Sequence, residues 1–531
     1  MTKIRMAAFL AAALLNLAAP AQYGPQPPFT VEIEPVVTQS PLPGLHSFAF
    51  ARSGSRWLFV GGRINGLHGF STNENFAVEY ANGNIVVIDT ASWQYYTSPL
   101  SALPQNIADP LSSTNMQYVH DGDHLYMIGG FGWDSTQTEF LTHNTVTALH
   151  VNDVISAVIS GTPLAPHIRQ ITDNNLRVCG GELQKLNGNF YLFFGHDFSG
   201  VYSDPPIPTF TQVYTNEIRR FNIVDNGTAM SIANYSAIVD THHFHRRDLN
   251  VGPVIFPNGN FGLEAYSGVF RKDANLPYLW PISFDGTTAT VDSAFDQRFN
   301  NYTCPLLPVF DSLHGTMYTT FFGGIGLYDF DSQAQQPVYD SMVPFVADVS
   351  CLVRDAYGNH AQGVLPQEMP GLLGSNAKFV LNDAAPHYAN EVLRLRDLPG
   401  RTLAGYLVGG IRSTAANLAP QSFAHDTVYR VYITPDQNLL SAGETGAPEF
   451  LRIFPNPANE QIFLRIKTGN PGKLEVKLFD MQGRLLRAEH FSDSGAQQDH
   501  RISTAELAPG YYFLRVEGEG FSLREKIGVT R

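Results

Sequence analysis

Residues 56–63 read RWLFVGGR, a short strand of aromatic and aliphatic side chains that stops on two glycines. Variants of the phrase return as HLYMIGGF (124–131), NFYLFFGH (189–196), NFGLEAYSGVF (260–270), TMYTTFFGGI (316–325) and LAGYLVGGI (403–411). Their glycine anchors at 62, 130, 195, 268, 324 and 410 lie roughly 55 to 85 residues apart, room for four short strands and variable loops. Each anchor follows a first apolar strand and a tight turn, such as HDGDH (120–124) or PNGN (257–260). A loop and a third strand come after it: GNIVVIDT (83–90), NTVTALHV (144–151), NEIRRFNI (216–223) and DTVYRVYI (426–433). No long stretch carries a helical apolar period, so the chain reads as all-β.

The repeat resembles the kelch motif over about residues 29–435, with departures at Phe194-Gly195 and Ser267-Gly268 and without regularly placed tyrosine and tryptophan. The resemblance implies a kelch-like β-propeller of six blades, or seven if residues 348–387 form an irregular extra one. The doublet is expected where neighbouring blades crowd the backbone. Innermost strands should start near His46, Asn115, Arg177, Asp248, Tyr302 and Ser350, ringing one mouth of a central channel. The long loops between second and third strands (63–76, 131–143, 196–212 and 412–425) belong on that same face, with minimal turns on the other.

Both ends carry an address. Residues 1–21 have the layout of a secretory signal: Lys3 and Arg5, an apolar run from Met6 to Leu15, and Ala19-Pro20-Ala21 as the cleavage site. A linker over 436–449 precedes a tail at 450–531 containing FLRIFPNPANEQIFLRI (450–466), LEVKLFDMQGRLL (474–486) and ISTAELAPGYYFLRVEGEG (502–520). Read alone, the tail is a small Ig-like β-sandwich with a hairpin at DMQGR. It resembles the type A sorting domain of the type IX secretion system, which implies a Bacteroidota source, handling by that secretion machinery, and release or attachment at the outer-membrane surface. No later apolar run is long enough to span a bilayer, so no transmembrane segment is expected.

Composition narrows the partners. The chain has 34 basic and 48 acidic residues, a formal charge of −14, and residues 22–449 hold 20 bases against 38 acids. Such a surface repels phosphate backbones, which excludes nucleic acid as the main partner. Cys179, Cys304 and Cys351 allow at most one disulfide and share no CxxC spacing. Packing must hold this protein, and the three thiols read as small buried side chains.

Against that acidic background stands THHFHRRD at 241–248. His243 and His245 with Asp248 could form a three-ligand metal set. Arg246 and Arg247 could clamp a carboxylate or sulfate. Alternatively, Arg247 and Asp248 form a structural ion pair beside packed histidines. On the loops, His68, Phe70, Trp133, His196, Tyr202 and Arg412 could build an aromatic, hydrogen-bonding platform for sugar.

No sialidase box, nucleophile elbow or zincin motif is present, and Tyr302 with Cys304 does not reproduce a galactose-oxidase copper site. The leading expectation is therefore an exported binding module without cofactor, recognising a glycan or protein through its long-loop face. The alternatives are a glycan-directed hydrolase or lyase using the His/Asp set, and a structural component of the envelope.

Overall fold

The computed structural model describes residues 23–69, 75–202, 209–436, 450–468, 471–480, 484–518 and 521–530. The signal expected over 1–21, Phe70, the linker after residue 436 and residues 481–483 of the tail hairpin lie outside the described residues. Two compact units make up the chain, Met1–Thr434 and Pro435–Arg531.

Unit one is all-β and propeller-like. Its first sheet holds Ala49–Ser53, Arg56–Val60, Asn84–Asp89 and Gln94–Pro99, hydrogen-bonded in chain order. The second repeats this with Gln117–Asp121, His124–Ile128, Thr145–His150 and Ile168–Thr172, the third with Glu182–Leu186, Asn189–Phe193, Glu217–Asp225 and Met230–Val239. A fourth contains Asn250–Ile255, Phe261–Tyr266, Ile282–Phe284 and Ala289–Val291. In the fifth, Leu306–Asp311, Thr316–Ile325, Phe345–Arg354 and His360–Glu368 are joined by the short parallel strand Leu393–Arg394. The sixth takes Lys378–Leu381, Thr402–Val408 and Tyr429–Pro435, and its fourth strand is the chain's first, Phe29–Pro35.

First strands of successive sheets touch one another, so they line the axis. The sheets pack face to face through apolar layers all the way round. Leu58 and Val87 meet Leu125 and Met127 between sheets one and two, and Trp57 meets Val380 and Val408 where sheet six returns to sheet one. Between sheets five and six, Phe322 stacks on Phe379.

A closed circle of backbone hydrogen bonds lies just ahead of the first strands. Asn115 N donates to Ser47 O (3.3 Å), Gly180 to Asn115 (3.0 Å), Asp248 to Gly180 (2.7 Å), Thr303 to Asp248 (3.2 Å), Asn376 to Thr303 (2.9 Å) and Ser47 to Asn376 (3.4 Å). Every sheet supplies one link. Five of the six residues have φ between 51° and 65°, the left-handed region that Asn, Asp and Gly enter most readily.

The glycine doublet serves the same closure. Its second member donates across to the next sheet: Gly62 to Ser113 O, Gly130 to Val178 O, Gly195 to Arg246 O, Gly268 to Asn301 O and Gly410 to Leu45 O, all at 2.8–3.2 Å. A methyl group at Gly410 would sit 2.5 Å from Ala377 Cβ, at a φ of +93°. Phe194 and Ser267 replace the first glycine yet keep φ at 56° and 46°, so the departures from the motif preserve its backbone.

Three expectations are corrected. Ser350 does not begin an innermost strand; it lies in the third strand of sheet five, and the sixth circle residue is Asn376. Residues 348–387 are likewise no extra unit, since they complete sheet five and start sheet six. The face opposite the long loops is not all minimal turns either. Helix Val151–Ser160 fills the last connection of sheet two, burying Val154, Ile155 and Val158 in the layer between sheets one and two.

Unit two is a sandwich of two sheets. Phe450–Phe454, Gln461–Lys467 and Gln498–Ser503 form one; Leu485–Ser494, Pro471–Phe479, Gly510–Gly518 and Phe521–Val529 form the other. Alternate residues Ile462, Leu464, Ile466 and Leu474, Val476, Leu478 enter one shared core.

Between sheets four and five, buried His360 bridges two carboxylates, Glu264 at 2.8 Å and Asp292 at 2.7 Å. Burial opposes its protonation, but Glu264 and then Asp292 outweigh it and lift the pKa to about 9. A pKa above the ordinary value of about 6.5 means stability fully present below pH 6.5 and lost as pH rises through about 9. Thermal unfolding followed from pH 6 to 9.5 is expected to show wild type losing a few kcal/mol that His360→Gln never had. In the same assay Gly410→Ala is expected to cost about 3 kcal/mol or more through clash and strained backbone. Gly83→Ala, where a Cβ meets nothing within 4 Å, should change little.

Candidate functional site

The backbone circle divides the axis. On the inner-strand side lies a chamber of ≈ 620 Å³ whose charges are matched: Lys378 with Glu182 (3.5 Å), Arg52 with Asp383 (2.6 Å), Lys185 with Asp121 (2.6 Å). On the long-loop side opens a second cavity of ≈ 350 Å³.

The repeat itself builds that second cavity. In each sheet the residue just before the circle faces the residue just after the glycine doublet across a β-bridge: His46 with Arg63, Thr114 with Phe131, Cys179 with His196. Ser375 pairs with Ile411 in the same way, and Tyr302 N donates to Ile325 O at 3.2 Å. These positions, with Arg247 from sheet four, supply the cavity lining nearest the circle.

The loops raise a wall of rings above this floor. His68 lies 4.2 Å from Phe76 and stacks on Tyr202 at 5.4 Å, and Phe76 meets Phe131 edge-on at 4.9 Å. Phe198 packs against Tyr202 at 5.1 Å. The wall holds its position because the loops of sheets two and three are not loose. Phe131–Asp134, Glu139–Thr142, His196–Gly200 and Phe210–Tyr214 pair into a four-stranded sheet of their own.

Arg247 and Asp248 meet at 2.7 Å within the cavity, and Arg247 lies over the Phe270 ring at 4.4 Å. Burial works against the charge on Arg247, but Asp248 more than restores it, so the guanidinium stays protonated. The histidines go the other way. Burial, aided by Arg63, takes His46 down to about 3; burial, with Arg247 and Arg63 nearby, takes His68 to about 4. His196 falls well below its ordinary value through burial and Arg247. All three are neutral imidazoles at neutral pH, with Nδ1 already engaged by Ser47 Oγ, Gly69 O and Gln212 Nε2 respectively. Burial pushes the Cys179 thiol up to about 12, which leaves it protonated and unreactive.

Of the residues expected at the site, His68, His196, Tyr202, Arg247 and Asp248 line one cavity. The others do not reach it. Trp133 packs edge-on against Phe140 at 5.3 Å, and Arg412 is exposed beside Phe423. His245 stacks on Tyr214 at 3.7 Å with Nδ1 on Asn216 Oδ1. Arg246 is fully buried in the wall, donating to the carbonyls of His243, Ser267 and Trp280 at 2.6–2.9 Å. No clamp by Arg246 and Arg247 together exists, because neighbouring residues point to opposite sides of the extended backbone. The candidate metal set fails because each member is engaged elsewhere. His243 pairs with Asp240, His245 with Asn216 and Asp248 with Arg247, and no group of three such ligands converges among the described residues.

Arg63, Phe76 and Phe131 also line the cavity without having been anticipated as site residues, whereas His46 and Tyr302 were expected only as strand starts at the channel mouth. The signal for Arg63 and Phe131 was the position directly after Gly-Gly.

Residues 452–530 match the secretion system C-terminal sorting domain. The protein is exported, because that type IX tail marks proteins secreted or attached to the outer-membrane surface. No described helix is long and apolar enough to cross a membrane. A search of curated protein sequences finds no significant match. Among solved structures, the chain is similar to that titled "Structure of YjhT" (10% identity, TM-score 0.40, 75% of this chain and 98% of that one). It is also similar to a fungal alcohol oxidase of the AA5 family in complex with copper (10% identity, TM-score 0.35, 97% and 100%).

Arg246 and Arg247 should separate cleanly by substitution. Arg246→Met is expected to destabilise the fold by about 3 kcal/mol in denaturant unfolding, since it strips donors from buried carbonyls. Arg247→Met with Asp248→Asn, which removes both charges of the pair, should cost distinctly less.

Proposed function

We propose that the protein is an exported binding module of Bacteroidota whose unit one is a six-bladed kelch-like propeller and whose tail is an Ig-like sorting sandwich. Its cavity on the long-loop side takes a small glycan, about one or two sugar rings in size. The observation that carries this reading is the composition of one concavity. Neutral imidazoles, Thr114, Asn115 and Asn376 supply hydrogen-bonding groups at the floor, and Phe76, Phe131 and Tyr202 supply flat apolar faces beside them. Sugars present the matching pattern of hydroxyls around apolar ring faces.

The size supports a small ligand over a protein surface. Small-molecule sites run from about 300 to 1,000 Å³ and are concave, whereas protein partners bury broad areas of about 800 Å² a side. A cavity of ≈ 350 Å³ falls at the lower end of the first class.

A glycan array probed with the whole mature protein tests the reading, followed by titration calorimetry on the best hit. Tyr202→Ala removes one ring of the wall and is expected to weaken that hit about tenfold, equivalent to about 1.4 kcal/mol. An array without hits, or hits that bind the variant as tightly as wild type, would falsify the assignment to this cavity.

A further inference from the structure

Arg63 stands out among the cavity's charges. It is 5% exposed and lines the cavity, yet the described partners of its guanidinium are all neutral. Nε donates to Asn65 Oδ1 and Nη2 to Ala77 O, both at 3.1 Å, and the Phe76 ring lies 5.5 Å away. Among the described residues no carboxylate forms an ion pair with it; Glu79 acts only from a distance. The burial shows in its pKa, lowered to about 10.

Every other strong charge at the axis has its counterpart. Arg247 has Asp248 within the cavity, Lys378 has Glu182, and Arg52 has Asp383. The nearby histidines are neutral, so among the described residues that line the cavity one positive charge has no ion-paired carboxylate. A buried guanidinium without a counter-ion is costly, and an anion that enters with a ligand removes that cost while gaining charge-assisted hydrogen bonds. The two bonds that hold Nε and one side of Nη2 leave the Nη1 end of the fork for such a group.

We infer that the ligand of this cavity is an anionic sugar, and that Arg63 receives its carboxylate or sulfate group while the aromatic wall holds the ring. This rests on the cavity being a small-glycan site, and it adds the charge class of the ligand. The surrounding unit is strongly acidic, so an anion would be selected here by a local contact and against the long-range field.

Titration calorimetry of the whole mature protein at pH 7 with D-glucose, D-glucuronate and D-glucose 6-sulfate tests the inference. Glucuronate, the sulfate ester or both are expected to bind at least tenfold tighter than glucose. Binding of one but not the other identifies which anion is read. Arg63→Gln should abolish the preference, bringing the affinities for the anions down to that for glucose, and Arg63→Lys should keep part of it. Thermal melts of both variants check that the fold is retained, and Arg63→Lys stands in if Arg63→Gln melts early. Equal binding of glucose and the anions, or a preference that survives both substitutions, overturns the anionic assignment while the glycan site stands. If none of the three sugars binds wild type, the inference falls, and the array result then decides whether the glycan reading falls with it.

Discussion

Six backbone hydrogen bonds that close on themselves, from Ser47 through Asn115, Gly180, Asp248, Thr303 and Asn376, set the terms for the rest of unit one. Such a circle exists only if every sheet delivers one peptide to the axis at the same height. Each peptide must also lie along the circumference, so the chain turns left-handed there before entering its first strand. The glycine doublets follow from the same demand: the next sheet's backbone passes so close that a second donor, the second glycine N–H, reaches it directly. Phe29–Pro35 completes the last sheet from the opposite end of the chain. The ring of sheets therefore shuts through main-chain pairing as well as apolar packing, with no disulfide: all three cysteines are free and buried.

The same geometry decides what the sequence could disclose. RWLFVGGR and its relatives expose the repeat because close backbone approach permits almost nothing but glycine, and that restriction survives in the letters. Four of the expected inner-strand starts, His46, Asn115, Asp248 and Tyr302, fall at or beside the circle for the same reason. Ser350 misled because VADVSCLVR reads as a buried strand in any position, and a third strand under cover is as apolar as a first. The true start at Ser375-Asn376 is marked only by a left-handed asparagine, a weak signal in a chain with many asparagine turns.

Site residues were legible where the repeat placed them and obscure where loops did. Trp133 and Arg412 sit in long loops on the expected face, yet those loops fold into small sheets whose pairing register turns both side chains away from the cavity. Register of that kind depends on which strand lies alongside, and the partners of 131–142 are residues 196–214, in a different repeat. Local pattern cannot supply that. His196 reaches the cavity through its β-bridge to Cys179, and Tyr202 from just beyond the end of the strand His196–Gly200.

Arg246 and Arg247 show why a functional cluster at a ring of sheets is seldom a cluster in sequence. Extended backbone sends adjacent side chains to opposite sides, so a pair of arginines divides its labour: one ties together three buried carbonyls in the wall, the other enters the cavity. The two guanidiniums that share this cavity therefore are not sequence neighbours but come from different sheets. Arg63 follows the first glycine doublet and Arg247 precedes the fourth circle residue, at opposite sides of their sheets' β-bridges. Their partners then set their roles. Arg247 is balanced by Asp248, the next residue in the chain, and can serve as structure in the empty protein. Arg63 has only neutral hydrogen-bond partners among the described residues, and that difference is what points to an anionic ligand.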